Sequence, residues 1–199
     1  MPVSLLIFKF ASRYSYFVIK KIKNYFARYN FLQEFAKVNR HRAVVNLNEA
    51  KTIGVVYAVN SEETYKIVET FVKSLKTKDR YIHILGYIPV KYFPPYIIPT
   101  LATDYFTGKD INWFGKPVNA YVTDFLKREF DIIINLCMED NYTLQYICGL
   151  SKASFKVGIS GEGNTDYYDF MIEAKAGLPV EDFIKEIIHY LTIINTKND

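Results

Sequence analysis

The sequence predicts a three-layer α/β domain of the Rossmann type, with a mostly parallel sheet, preceded by a long amphipathic helix. Short segments rich in β-branched residues alternate with segments of helical periodicity along the 199 residues. The strand segments are apolar on both sides, which is typical of a parallel sheet covered by helices on each face. We expect residues 1–42 to form a basic helical arm and residues 48–195 to form a single α/β domain.

The charge distribution separates the arm from the rest of the chain. Residues 1–42 contain nine Lys and Arg residues and one acid, Glu34, whereas residues 43–199 contain 16 basic and 20 acidic residues. The net charge of +4 therefore combines an arm of +8 with a body of −4. This asymmetry predicts a cationic arm joined to a mildly acidic domain.

The arm has the apolar periodicity of one amphipathic helix. Its apolar residues recur at steps of three and four, and neither Gly nor Pro interrupts residues 3–42. A helix of roughly 30 residues, about 45 Å long, is therefore expected. Lys9, Arg13, Lys20 and Lys23 fall on the side opposite these apolar residues. We call the apolar residues the stripe: Ile7, Ala11, Tyr14, Val18, Ile22, Tyr25, Tyr29, Leu32 and Ala36.

The stripe needs a contact surface, because an isolated helix of this kind depends on burial of its apolar face. That surface is the chain's own domain, a second copy or another protein, or a membrane. We favour a homo-oligomer or a protein partner, because Ala11 and Ala36 permit close helix packing and anchor weakly in lipid. A basic amphipathic helix also suits a membrane surface. Nucleic acid is disfavoured, since the body is acidic and no recognition motif accompanies the arm.

The first half of the body alternates strand and helix. Residues 51–59 are apolar and β-branched and predict a buried strand. Asn60 is expected to cap the helix that follows, with Glu63 completing a capping box. Residues 79–88 predict a second strand, which a proline stops. The proline-rich segment after it is expected to be irregular, apart from a short strand near residues 103–106.

The second half continues the alternation. Residues 130–137, FDIIINLC, are the clearest buried strand in the sequence. Pro179 starts the last helix, whose first turn contains Glu181 and Asp182, where the helix dipole favours acids. The other expected elements are helices at 119–129 and 141–150 and strands at 155–159 and 169–173.

Candidate functional residues are sought at the carboxyl ends of the strands, where ligands of open α/β sheets bind. The first strand is followed by Asn60 and Ser61 and then by two acids, Glu62 and Glu63. Two carboxylates at a helix start repel phosphate. A dinucleotide or P-loop site is therefore not expected, and no cofactor is assigned.

Two further acids, Glu139 and Asp140, follow the strand at 130–137. They form a general acid–base or metal pair in one interpretation. In the other, Asp140 or Asn141 caps the next helix and Glu139 is an acid of its first turn. We favour the second interpretation, because capping is the ordinary role of such residues at a helix start.

Other residues at this edge have structural interpretations. Gly158, Gly161 and Gly163 predict a flexible turn, because their spacing does not match a phosphate-binding loop. Trp113 is expected to line a pocket or to cover the core. Cys137 could act as a nucleophile, but no sequence cue indicates the His partner that this role needs. No catalytic residue and no metal ligand are assigned. The candidate pocket residues are Asn60, Ser61, Trp113, Asn135, Glu139, Asp140, Gly158, Gly161 and Gly163.

The sequence resembles two groups of proteins. Residues 130–159 resemble the strand–helix–strand segment in the N-terminal domain of heptosyltransferase-like glycosyltransferases. In those enzymes a second Rossmann-like domain binds the nucleotide sugar, so the resemblance assigns no catalytic residue here. The chain as a whole resembles a family of bacterial proteins of similar length and unknown function, through residues 46–57, 110–117 and 130–136.

The sequence favours a non-catalytic interaction or scaffold protein, in which a degenerate Rossmann-like domain carries a helix for self-association or peripheral contact. The alternative is a small-molecule-binding or glycosyltransferase-like protein with a pocket at the strand carboxyl ends. Two cysteines are too few for a disulfide framework and fit a cytoplasmic protein, with peripheral membrane contact as an option.

Overall fold

The computed structural model describes residues 3–161, 163–175 and 177–195, with side chains from residue 18 onward. Five helices and six strands occur in these ranges. The helices are α1 (Val3–Phe35), α2 (Glu62–Leu75), α3 (Ala120–Lys127), α4 (Tyr142–Leu150) and α5 (Val180–Ile193). The strands are β1 (Thr52–Ala58), β2 (Tyr81–Ile88), β3 (Thr103–Thr107), β4 (Ile132–Asn135), β5 (Phe155–Ile159) and β6 (Phe170–Ile172).

The six strands form one sheet in the order β3-β2-β1-β4-β5-β6, and every pairing between them is parallel. The chain winds outward from β1 to β3 and then returns to the other side of β1 as β4. The carboxyl ends of β1 and β4 therefore form the switch point at which α/β sheets bind ligands. This topology confirms the predicted Rossmann-like α/β fold.

Helices cover both faces of the sheet and enclose two apolar cores. α2 and α5 pack on one face, and α3, α4 and the end of α1 pack on the other. Alternate residues of β1 enter different cores, since Ile53 and Val55 belong to the first and Val56 belongs to the second. Burial on both faces explains why the strand segments are apolar at successive positions.

Several boundaries differ from the prediction by one or two residues, as at β4, which covers Ile132–Asn135 of the expected 130–137, and two more lie at the start of α2 and at the last strand. The cap of α2 is Ser61, whose Oγ accepts a hydrogen bond from the Thr64 N–H at 3.1 Å. Ser61 has the extended backbone that a cap requires, with φ −155° and ψ 165°. The expectation that Asn60 caps this helix is therefore wrong by one residue. The last strand is shorter than the expected 169–173 and covers Phe170–Ile172.

The end of α1 belongs to the second core. Phe31 is fully buried, and its ring lies 5.3 Å from Phe35, 6.1 Å from Tyr146 and 4.9 Å from Tyr167 between centroids. Gly149 of α4 makes room for this ring, because a Cβ at Gly149 would lie 2.5 Å from it. Within the predicted arm of residues 1–42, the helix α1 is continuous from Val3 to Phe35, and its last turns form a wall of the body, whereas residues 36–42 are not helical.

Candidate functional site

Two adjoining cavities lie at the carboxyl ends of β4 and β5. One, of about 350 Å³, lies between the ends of these strands, and the other, of about 440 Å³, lies between α1 and the start of α4. Asp140, Gln145 and Asn164 line both cavities. Of the other predicted residues, Glu139 and Gly161 line the first and Gly163 lines the second. The structure therefore brings four of the candidate residues together.

The side chains shared by the two cavities form one hydrogen-bonded cluster. The Gln145 amide donates to Asp140 Oδ1 and to Asn164 Oδ1, both at 3.0 Å. The Asn164 amide in turn donates to the Ile159 carbonyl at 2.9 Å. Gln145 and Asn164 are buried, so these bonds offset the cost of removing their amides from water. The cluster fixes the turn after β5 against α4.

The two carboxylates after β4 have separate environments. Asp140 accepts from Gln145, while the cap of α4 is Asn141, whose side chain accepts from the Leu144 N–H at 3.2 Å. The backbone carbonyl of Glu139 accepts from the Cys137 thiol at 3.6 Å. Asn141 is thus the cap, one of the two residues expected there, whereas Glu139 and Asp140 both precede the helix and the expectation of Glu139 in its first turn is wrong. In the described ranges, no group of three or more His, Cys, Asp or Glu side chains could hold a metal ion.

Asn135 and Gly158 have packing roles around Tyr168. The Asn135 amide donates to the Tyr168 hydroxyl at 2.6 Å, and its Oδ1 accepts from the Cys137 N–H at 2.9 Å. A Cβ at Gly158 would lie 2.5 Å from the Tyr168 ring, so that ring requires glycine in β5. Both candidates therefore hold the end of the sheet in place.

Asn60, Ser61 and Trp113 line neither of the two cavities. Asn60 and Ser61 are exposed at the end of β1. Trp113 is 57% exposed, and its ring packs on Phe26 of α1 at 5.6 Å and on Phe114 at 5.4 Å between centroids. Trp113 therefore extends the surface of α1 and does not close a pocket.

A second set of contacts, which the sequence analysis did not find, attaches α1 to the body. The Glu34 carboxylate accepts from the Lys116 ammonium and from the Tyr146 hydroxyl, both at 2.5 Å. The Tyr142 hydroxyl donates to the Ala27 carbonyl at 2.6 Å. One feature of the sequence could have indicated the contact at Glu34, since Glu34 is the single acid among the first 42 residues.

We expect both cysteines to react slowly with iodoacetamide in the folded protein. Burial raises the pKa of Cys137 to about 11 and also raises the pKa of the buried Cys148 thiol. Both therefore remain protonated at neutral pH, whereas alkylation requires the thiolate. Mass spectrometry of labelled protein with and without denaturant measures this. Rapid native labelling of Cys137 would contradict the expectation and support a nucleophilic role.

The stripe faces solvent in the part of α1 whose side chains are described. At 100° per residue, the buried Ala27 and Phe31 lie about 180° to 220° from the centre of the stripe. Packing of the stripe on the chain's own domain is therefore excluded for these residues. The described stripe residues in the helix are 41% to 68% exposed: Val18, Ile22, Tyr25, Tyr29 and Leu32.

The other four stripe residues lie either beyond the end of α1 or among the residues whose side chains are not described. Ala36 is exposed and follows Phe35, the last residue of α1. Ile7, Ala11 and Tyr14 lie outside the described side chains. The helix of the stripe is confirmed, and its contact surface stays a prediction.

A sequence model of one protein family matches residues 23–194, which contain the end of α1 and the whole sheet. The chain belongs to DUF6913, a family of unknown function. The resemblance to a family of unknown function is therefore confirmed for this DUF6913 chain. No curated protein matches it.

One solved structure is similar to this DUF6913 protein, the heptosyltransferase WaaC of E. coli with ADP, at a TM-score of 0.41 and 8% sequence identity. The match covers 73% of this chain and 49% of that one, so the chain spans about half of the heptosyltransferase. The predicted resemblance of residues 130–159 points to the same group of proteins. A likeness this distant carries no conclusion about activity.

In the part of the chain that the structure describes, no helix combines the length and apolarity needed to cross a bilayer. α1 has 33 residues, but charged side chains such as Lys20, Lys21 and Lys23 interrupt its apolar residues.

Proposed function

We propose that this DUF6913 protein is a non-catalytic interaction protein, in which the Rossmann-like body presents α1 to a partner surface. The observation that carries the proposal is the exposed stripe. Contiguous exposed apolar surface on a soluble domain marks an interaction site. α1 presents such a surface on the side opposite its attachment to the body, from Val18 to Leu32.

The attachment of α1 makes this surface a fixed part of the molecule. Phe31 is buried between α4 and the turn after β5, and Glu34 bonds to Lys116 and Tyr146. Arg28 adds an ion pair with Asp166 at 2.5 Å. These contacts use one side of the helix and leave the stripe outside, so the body supports α1 without covering its apolar face.

A small-molecule-binding or glycosyltransferase-like function is the second candidate, and the two cavities at the strand ends favour it. Their volumes of about 350 and 440 Å³ suit a metabolite. However, the polar side chains shared by both cavities bond to one another, as Gln145 does with Asp140 and Asn164. This pairing favours a structural role for the cluster.

The interaction function predicts that the stripe controls assembly in cells. In a bacterial extract, we expect the wild-type protein either to sediment with the membranes or to elute from a size-exclusion column as a species larger than a monomer. The stripe variant carries Ile22→Ser, Tyr25→Ser and Tyr29→Ser. It should stay in the soluble fraction as a monomer, because it loses the apolar area that drives association. Fractionation of membranes, followed by size separation of the soluble protein, measures both properties.

The matched control places the same substitution at three exposed apolar residues outside α1, which are Val90, Ile98 and Leu101. This control should behave as the wild type does. The far-ultraviolet circular dichroism of both variants should equal that of the wild type, since all the substituted side chains are exposed. A wild-type protein that is already a free soluble monomer would contradict the proposed function.

A further inference from the structure

Resting on the proposed function, we infer that the partner of the stripe is an anionic lipid bilayer, on which α1 lies parallel to the membrane plane. Three properties of α1 lead to this assignment. They are the charge of the arm, the types of residue in the exposed stripe, and the position of the body relative to the stripe.

The charge of the arm complements an anionic surface and opposes pairing with a second arm. Residues 1–42 contain nine bases and one acid, and that acid, Glu34, already bonds to Lys116 and Tyr146. Arg28 pairs with Asp166 and Arg40 pairs with Asp169, so the repulsion between two arms packed side by side comes from the other bases, which include Lys20 and Lys23. A bilayer with anionic headgroups instead attracts each Lys or Arg near it, which strengthens binding about fivefold per residue.

The described stripe has the composition of an interfacial helix. The preference for a protein partner rested on Ala11 and Ala36, but Ala36 lies beyond the end of α1 and Ala11 lies outside the described side chains. Aliphatic side chains and tyrosines make up the described stripe within the helix. Aliphatic groups enter the acyl region of a bilayer, and Tyr25 and Tyr29 suit the boundary with the headgroups.

The lysines of α1 lie outside its apolar stripe, as in helices that lie on a membrane surface. Lys21 is at one flank of the stripe, about 60° from its centre, and Lys20 and Lys23 are on the opposite side of the helix. All three are exposed. Helices that lie on membranes combine an apolar face with a polar face rich in Lys and Arg, whose long side chains extend toward the headgroups.

The body leaves the stripe accessible to a flat surface. Ala27 and Phe31 attach α1 to the body on the side opposite the stripe. A bilayer can therefore contact the stripe along the helix while the body lies on the other side. Trp113 extends the apolar surface at the flank of α1, where its ring packs on Phe26.

The test is flotation of the full-length protein with vesicles of phosphatidylcholine, alone or mixed with phosphatidylglycerol. We expect binding to the mixed vesicles, little binding to the neutral ones, and loss of binding above about 0.5 M salt, because salt screens the headgroup charge. Trp113 is the single tryptophan and is 57% exposed. Its fluorescence emission should therefore move to shorter wavelength when the protein binds.

Variants separate the contribution of charge from that of the stripe. Replacement of Lys20, Lys21 and Lys23 by Gln should weaken binding to the mixed vesicles at least about fivefold, the contribution of one lysine near the headgroups, because Lys21 flanks the stripe while Lys20 and Lys23 lie on the opposite side. The stripe variant should not bind. A matched control should bind within about threefold of the wild type, because its charges belong to the body and not to α1. The control replaces three exposed lysines of the body by Gln: Lys127, Lys152 and Lys185.

The possible failures can be distinguished. If the protein does not float with anionic vesicles but still assembles through the stripe in the extract, the lipid assignment is overturned and the interaction function stands. If neither occurs, both are overturned. Equal binding to neutral and anionic vesicles, or full binding by the Gln variant, also overturns the assignment, because it removes the role of charge.

Discussion

Replacement of Phe31 by Ala is expected to lower the free energy of unfolding by about 3–5 kcal/mol, because it removes a fully buried aromatic ring from the second core. The Phe31 ring contacts Tyr146 and Tyr167 and fills the space that Gly149 leaves open in α4. Its loss leaves a cavity between α1 and the body. Urea denaturation followed by circular dichroism measures the change.

The neighbouring residue provides the control. Leu32 follows Phe31 in the chain but belongs to the stripe and is 43% exposed. Leu32→Ala should therefore change the free energy of unfolding by less than about 0.5 kcal/mol. Equal losses for the two variants would mean that the assignment of the buried and exposed sides of α1 is incorrect.

Lys156 is expected to make the stability of the protein rise with pH. This lysine of β5 is buried, and its ammonium group donates to the Gly149 carbonyl at 2.5 Å. Burial, together with the smaller effect of the nearby positive charge of Arg40, lowers the pKa of Lys156 from its ordinary value of 10.5 to about 7. The folded protein therefore releases this proton about three pH units earlier than the unfolded chain does.

The sign of the effect follows from proton binding. Above about pH 7 the unfolded chain holds more protons at this lysine than the folded protein does, so stability increases as pH rises. Between about pH 7 and pH 9 the contribution of Lys156 is about 2 kcal/mol. Cys137 and Cys148 act in the opposite direction from about pH 8.5, because the unfolded chain ionises them before the folded protein does. The contribution of Lys156 is therefore read as a difference between the wild type and a variant, measured up to about pH 9.

Comparison with Lys156→Met isolates this contribution. The variant should lack about 2 kcal/mol of the pH-dependent gain seen in the wild type, measured by urea denaturation at several pH values. The test compares the slopes of stability against pH and not the absolute stabilities, because Met also removes the hydrogen bond to the Gly149 carbonyl, which changes stability at every pH. Lys152→Met, at an exposed lysine nearby, should keep the wild-type slope. Parallel curves for wild type and Lys156→Met would contradict a lowered pKa.

The candidate site was predicted in part. Glu139, Asp140, Gly161 and Gly163 line the two cavities, because the carboxyl ends of parallel strands meet at one edge and the strands at 130–137 and 155–159 were recognised. Gln145 and Asn164 were missed, since a polar side chain in a helix or turn looks the same in sequence whether it is buried or exposed. Their burial depends on the bonds between them.

Trp113 and Asn60 show two other kinds of error. Trp113 was expected in a pocket or over the core, but the loop places it against Phe26 of α1, and no local pattern links residues so distant in sequence. Asn60 was expected to cap α2, and the cap is Ser61. Both residues can cap a helix, and the backbone angles decide between them.

The sequence by itself determined the elements and their class. The β-branched runs of β1 and β4, the absence of Gly and Pro from α1 and the +8 charge of the arm are properties of local sequence, and each has a direct physical consequence. Only the tertiary structure decided which side of α1 is buried. The stripe has helical spacing, but so do Ala27, Phe31 and Phe35, which also recur at steps of four. Periodicity shows that a helix has apolar sides, whereas the shape of the body, with Gly149 opposite Phe31, selects the side that packs.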